Sequence, residues 1–174
     1  MENLKFPIGH FSFQAPNTPQ QRKQWIADIA GAAAKYRAAI AGLTDEQLDT
    51  PYRDGGWTVR QVIHHVPDSH MNAYIRFKLA LTENDPTIKP YDEAAWAELS
   101  DSRDTPIEVS LTLLETLHAR WVRLMDAMSE TDFAKQFRHP ERGVVPLEMN
   151  LALYAWHCHH HLAHITSLRA RNKW

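Results

Sequence analysis

The chain has 174 residues, of which 44% are hydrophobic and 23% are charged, and its formal net charge is −2. That length and apolar content predict one globular domain over residues 1–174 with a core of its own. The near-neutral balance argues against a nucleic-acid or anionic-membrane surface, and the single Cys158 excludes an intrachain disulfide framework. No stretch approaches the roughly 18 apolar residues of a membrane-spanning helix, and the first residues lack the apolar centre of a signal peptide, so a cytoplasmic location is expected.

The first long helix is predicted to begin after Thr18. Residues 1–17 contain breakers such as Pro16 and are expected to be irregular. Thr18 is a suitable N-cap, Pro19 favours the first helical position, and Gly42 is suited to end the helix.

The second long helix is predicted to begin after Thr58 and to reach about Leu81. Thr58 and Gln61 have the spacing of a capping box. Pro67 lies inside this helix, where its missing N–H predicts a kink. The helix carries three histidines: His64, His65 and His70.

Two more long helices are predicted in the second half of the chain. After a long connection over residues 82–106, Thr105 is a suitable cap for a third helix, which reaches about Met128. Residues 135–146 are predicted to form a loop with a small hairpin, and the fourth helix covers residues 147–171. Four amphipathic helices with one long crossover predict an all-α four-helix bundle.

The fourth helix carries a cluster of histidines. Five of the chain's 11 histidines lie within Trp156–Ile165. Residues four apart share a helix face, so His157 pairs with His161, and His160 pairs with His164. On a helical wheel the pair His157 and His161 borders the apolar stripe, which favours it as the pair that faces the bundle interior. Neutral imidazole is a preferred ligand of zinc and nickel, so the sequence predicts a divalent metal site.

A catalytic zinc site has three protein ligands and one open position. His157 and His161 supply two of them, and the third must come from a facing helix. The second helix offers His64, His65 and His70, and helical periodicity does not choose among them. The sequence shows no glycine-rich phosphate loop, nucleophile elbow or CxxC pair, so metal chemistry is the chemistry that the residues support.

Several segments closely resemble the YfiT group of the DinB-like superfamily, to which metal-dependent hydrolase activity is ascribed. The matching segments cover most of the chain: Tyr52–Val62, His64–His65, Asp68–Asn72, Arg76–Leu79, Pro90–Glu93 and Trp156–Ile165. The resemblance implies a four-helix bundle in which three histidines hold one zinc or nickel ion per chain. Carried onto this sequence, those ligands are His65, His157 and His161. It also implies a homodimer.

The expected function is therefore metal-dependent hydrolysis of a small-molecule substrate, with no nucleic-acid or membrane partner. The superfamily also includes transferases that use low-molecular-weight thiols, so thiol-S-transfer is an alternative, and a non-catalytic metal-binding module is another. The catalytic residues are not identified by the sequence, and the substrate class is not either. Candidates for a general base are Asp68, His70, Glu148 and His164. Asp68 is also a candidate to orient a ligand imidazole.

Overall fold

Four long helical segments form the body of the molecule. The structure is a computed structural model that describes residues 2–14 and 17–174. In those residues the helices are α1 (Glu2–Lys5), α2 (Pro19–Ala30), α3 (Ala32–Ile40), α4 (Asp45–Leu48), α5 (Val59–Thr82), α6 (Glu93–Ala97), α7 (Ser100–Asp104), α8 (Ile107–Asp126), α9 (Glu130–Phe133) and α10 (Leu147–Asn172). Two short strands, β1 (Gln136–His139) and β2 (Gly143–Pro146), form an antiparallel hairpin.

The bundle is built from α2 with α3, α5, α8 and α10. Helix α5 packs against α8 and α10, and the combined α2 and α3 segment packs against the same two helices from the opposite side. The apolar faces of these helices meet in one core, whose largest fully buried side chains include Trp121, Tyr36, Phe77, Phe137 and Ile29. The predicted four-helix bundle is confirmed.

The first predicted helix is interrupted at Gly31. Hydrogen bonds still cross the break, because Gly31 N–H donates to the Ala27 carbonyl and Lys35 N–H donates to the Gly31 carbonyl. Helices α2 and α3 therefore form one nearly continuous segment. It ends before Gly42, whose φ of +76° suits a residue without a side chain.

Two details of the sequence prediction are wrong. The expected irregular start contains one helical turn, α1; Pro16 lies outside the described residues. The cap of α8 is Pro106 without a side-chain hydrogen bond, not Thr105. The carbonyl of Thr105 instead lies 3.0 Å from Nε2 of His64 on α5, which draws this end of the crossover onto that helix.

The crossover and the hairpin are joined by backbone hydrogen bonds. Arg138 N–H donates to the Pro86 carbonyl over 2.8 Å, and Ile88 N–H donates to the Arg138 carbonyl over 3.0 Å. The loop after residue 88 and the hairpin tip are thereby fixed on the same side of the bundle. The hairpin predicted around Arg142 and Gly143 is confirmed.

Helix α5 continues without interruption through Pro67. The kink expected there stays a prediction. In the described part of the chain, no helix combines the length and the apolar character that crossing a membrane would require.

Candidate metal centre

Three of the histidines that the sequence singled out lie together between α5 and α10. The ligand nitrogens of His65, His157 and His161 all lie within 4.8 Å of one another. Nε2 of His65 is 3.3 Å from Nε2 of His157. The pair on α10 converges because its two members are four residues apart, and α5 packs against α10 so that His65 faces them.

The turn before α5 packs an aromatic ring against this cluster. The Trp57 ring lies 4.6 Å from the His65 ring and 6.3 Å from the His161 ring. The turn is tight: a Cβ on Gly56 would lie 2.7 Å from Cγ of Arg53, and Gly55 has a φ of +62°. The two consecutive glycines are therefore what allows Trp57 to cover the cluster.

Burial keeps these imidazoles neutral. Desolvation, with smaller contributions from the neighbouring His160 and His164, lowers the pKa of His65 to about 3. The pKa values of His157 and His161 lie well below the ordinary value for the same main reason, with a smaller contribution from the other histidines. A neutral ring nitrogen keeps the lone pair that binds a metal, so the three are ready to act as ligands near neutral pH.

The distance between the Nε2 atoms of His65 and His157 fits a tetrahedral zinc ion. Two nitrogens each about 2.0–2.1 Å from one ion, at the tetrahedral angle, are about 3.3–3.4 Å apart. The 3.3 Å between Nε2 of His65 and Nε2 of His157 has that value. Each of the two rings can present an Nε2 lone pair to an ion between them, and neutral imidazole nitrogen suits zinc and nickel. The donor set therefore fits a divalent ion.

A line of imidazoles runs from this cluster into the core. Nδ1 of His157 lies 3.1 Å from Nε2 of His70, and Nδ1 of His70 lies 2.9 Å from Nε2 of His118 on α8. When Nε2 of His157 acts as a ligand, its proton resides on Nδ1, which donates to His70; His70 then donates to His118 in the same way. Both inner rings are buried, and burial lowers the pKa of His118 to about 4. This line fixes the tautomer and the orientation of His157.

His118 is the site residue that the sequence analysis missed. It occupies a core position of α8 in register with Leu111, Leu114, Trp121 and Met125, all of which are buried. A histidine in an otherwise apolar stripe is the signal that could have identified it.

The other two histidines of the second helix do different things. His70 backs His157 from the core side and is fully buried. His64 lies on the α8 side of α5, where Nδ1 is 2.7 Å from Oγ of Ser110. Of the three that periodicity left open, His65 is the one whose ligand nitrogen lies within 4.8 Å of those of both His157 and His161.

The second i, i+4 pair on α10 is also buried, beneath the N-terminal segment. The His164 ring stacks on Tyr52 at 4.0 Å, and its Nε2 donates to the Lys5 carbonyl over 3.0 Å. His160 stacks on Trp156 at 4.3 Å and contacts Phe6. Together with His161 this pair forms a second group of close ligand nitrogens.

The His65, His157 and His161 cluster opens into a cavity of about 1090 Å³. Its walls are the turn before α5, the N-terminal segment, the loop at Pro90–Glu93 and the hairpin tip. Among its charged residues are four cations and three acids: Lys5, Arg53, Arg76, Arg142, Asp92, Glu93 and Glu141.

The candidates for a general base lie in different environments. His164 is the one among the residues lining the cavity, although its Nδ1 is buried and has no hydrogen-bond partner in the described part of the chain. Glu148 is paired with Arg22 at 2.5 Å. Burial, and secondarily the charge of Asp101, raises the pKa of Asp68 to about 6. His70 does not line the cavity and contacts His157 from the core side.

Comparison with known proteins identifies the family. The sequence model of the DinB superfamily matches residues 28–165. The chain belongs to the DinB superfamily. Within the superfamily it is YfiT-like: YfiT from Bacillus subtilis, for which metal-dependent hydrolase activity is proposed, superimposes with a TM-score of 0.97 and 50% identity over 99% of each chain.

Curated relatives from Bacillus agree with that placement in the DinB superfamily. Proteins of Bacillus cereus and of Bacillus thuringiensis subsp. konkukian are each 55% identical over 174 residues, which is 100% of both chains. Their names propose metal-dependent hydrolase activity. TT2238, a four-helix bundle protein, matches at 19% identity with a TM-score of 0.59 over 86% of this chain and 98% of its own, which supports the fold alone.

Proposed function

We propose that this chain is a metal-dependent hydrolase that holds one zinc or nickel ion between His65, His157 and His161. The observation that carries the proposal is the convergence of two buried imidazoles, His65 and His161, and one half-buried imidazole, His157, at the wall of a large cavity, with the pKa values of all three lowered so that they are neutral. The names of its close relatives support the same reaction class.

An ion held by His65, His157 and His161 would supply Lewis-acid chemistry for hydrolysis. Three neutral imidazoles bring no negative charge to the site, so they leave the attraction for an anionic partner undiminished. His70 and His118 hold His157 in the tautomer that presents Nε2 to the cavity. The ring of Trp57 covers one side of His65 and His161 and limits the approach of bulk water.

The cavity sets the size of the substrate. Sites for small molecules commonly enclose about 300–1000 Å³. A volume of about 1090 Å³ therefore suits a small molecule. Tyr91 on the crossover lines the cavity and supplies apolar surface, and its ring lies 4.5 Å from that of Trp96.

The experiment has a metal arm and an activity arm. Elemental analysis of protein purified without chelator is expected to show close to one zinc or nickel ion per chain. The loaded protein is then assayed against ester and amide panels, with and without low-molecular-weight thiols. Turnover that occurs without thiol and that a chelator abolishes supports hydrolysis.

Two other outcomes contradict the proposal. Metal-dependent turnover only in the presence of thiol assigns thiol-S-transfer instead. A loaded protein without turnover in either arm assigns a metal-binding module. The homodimer and the cytoplasmic location stay predictions, and light scattering of the purified protein tests the first.

A further inference from the structure

Arg76 is a buried cation without an ionic partner. Its side chain is 9% exposed and lines the cavity, and none of the described residues forms a hydrogen bond or ion pair with its guanidinium. Its guanidinium nitrogens are not among the fully buried polar atoms of the described residues that lack a partner, so they reach the open space of the cavity. A cation that is largely removed from bulk water and has no protein partner is placed to bind an anionic ligand in that cavity.

Arg76 shares a helix face with the candidate ligand His65. Eleven residues make just over three whole turns, so His65, Ser69 and Arg76 all line the cavity from one side of α5. The rise between the two ends is about 16 Å, and a long side chain on a helix points back toward the N-terminus. The guanidinium is therefore on the order of 10 Å from the imidazole cluster.

The hairpin tip brings further positive charge to the same cavity. Arg142 is exposed at the tip, and its charge contributes to lowering the pKa of His157. Arg76 and Arg142 together contribute to lowering the pKa of His139, although burial is the larger cause. The positive charges of Arg76 and Arg142 thus both reach the part of the cavity wall where His139 lies, in a chain whose formal net charge is −2.

We propose that Arg76, assisted by Arg142, binds an anionic group of the substrate, a carboxylate or a phosphate, while the scissile bond lies at the histidine cluster. The planar fork of arginine matches both oxyanions in bidentate geometry. The substrate is then an elongated anionic small molecule whose charged end lies on the order of 10 Å from the reacting bond. The inference rests on the proposed function for calling this ligand a substrate.

Binding is measured first, without reference to turnover. Inorganic phosphate and succinate are titrated into the wild-type chain and into Arg76→Gln, Arg76→Lys and Arg123→Gln by calorimetry. Arg123 is exposed on α8 and outside the cavity lining, so it is the matched control. We expect Arg76→Gln to weaken binding at least tenfold, Arg76→Lys to weaken it less, and Arg123→Gln to bind as the wild type does. The stronger of the two probes identifies the oxyanion.

The His157→Ala chain separates this site from the metal. It is expected to lose the ion and to keep phosphate or succinate binding, because Arg76 remains. Loss of anion binding in His157→Ala together with unchanged binding in Arg76→Gln would assign the anion to the metal and overturn the inference. The absence of saturable binding to the wild type would overturn it as well.

Stability and turnover complete the test. If Arg76 only supports the fold, Arg76→Gln lowers the unfolding midpoint or prevents folding, and the inference is wrong. We expect instead an unchanged or higher midpoint in anion-free buffer, because no described protein group pairs with the guanidinium that is removed. Among esters that the wild type cleaves, Arg76→Gln should lower kcat/KM for carboxylated or phosphorylated esters and leave neutral esters unaffected. If Arg76→Gln lowers kcat/KM equally for charged and neutral esters, the inference is wrong but the hydrolase proposal is unaffected. If the wild type binds the anion but cleaves no ester or amide, the hydrolase proposal is wrong but the anion site remains.

Discussion

Helix α10 carries two i, i+4 histidine pairs whose local sequence spacing is the same and whose surroundings differ. All four rings line the cavity, but His157 and His161 also face His65 on α5, and His70 lies behind His157. His160 and His164 lie under the N-terminal segment and Tyr52 and stack on aromatic rings. Both pairs are largely desolvated, so burial alone does not distinguish a ligand pair from a packing pair. What distinguishes the two pairs is the set of elements that faces each of them.

The largest expected effect comes from removing one of the two candidate ligands on α10, His157 or His161. His157→Ala should reduce bound metal from near one ion per chain to near zero, because two histidines do not complete the set of three. Elemental analysis after gel filtration measures it, with His159→Ala as the control on the same helix, since His159 pairs with Asp28 away from the cluster. Metal content unchanged in His157→Ala would remove the distinction between the two pairs.

The second effect is the acid sensitivity of the metal-free chain. The pKa of His65 is lowered to about 3, and those of His160 and His164 to about 4, whereas the unfolded chain titrates near 6.5. The unfolded state therefore binds more protons below about pH 6.5, and stability falls as the pH drops toward 4. Each such histidine contributes about 1.4 kcal/mol per pH unit in that window.

Urea unfolding at several pH values measures this dependence. The double variant His160→Gln/His164→Gln is expected to flatten the slope by about two protons and to keep its metal site. A slope that does not change would show that the packing pair is solvated and titrates normally, contrary to its burial in the structure.

How far the sequence could predict this arrangement depends on what each feature requires. The long helices, the capping box of Thr58 and Gln61 and the bundle follow from local spacing and were predictable. The choice of His65 over His64 and His70 was not derivable from periodicity, because it depends on which neighbour each ring meets after packing. The resemblance to the YfiT group supplied that choice.

Features made by residues far apart in the chain could not be predicted in the same way. The burial of His160 and His164 depends on the N-terminal segment folding back over α10, where the Lys5 carbonyl accepts from His164. The link from His157 through His70 to His118 joins three helices. Neither has a signature in local spacing beyond the single polar residue in the apolar stripe of α8.

A smaller effect should follow from removing His70, the hydrogen-bond partner of His157. His70→Ala leaves the three candidate ligands in place but removes the acceptor for Nδ1–H of His157. Loss of such a partner commonly weakens metal binding about 10–100-fold. Competition with a chromophoric chelator measures the affinity. His64→Ala is the control because His64 is similarly buried but bonded to Ser110 instead. Equal losses in both variants would point to general damage to the fold.

The smallest effect is expected for the packing pair. His164→Phe keeps an aromatic ring to stack on Tyr52 and loses the hydrogen bond to the Lys5 carbonyl, so the free energy of unfolding should fall by about 1 kcal/mol. Metal content and affinity should remain those of the wild type, since His164 is outside the cluster of His65, His157 and His161. Chemical unfolding and elemental analysis of the same preparation measure both. Loss of the ion from His164→Phe would transfer the site to the group of His160, His161 and His164, because that group also brings three nitrogens within 4.8 Å. Retention of the ion with a small loss of stability would show that two pairs with identical spacing on one helix have separate roles, one in binding and one in holding the N-terminal segment.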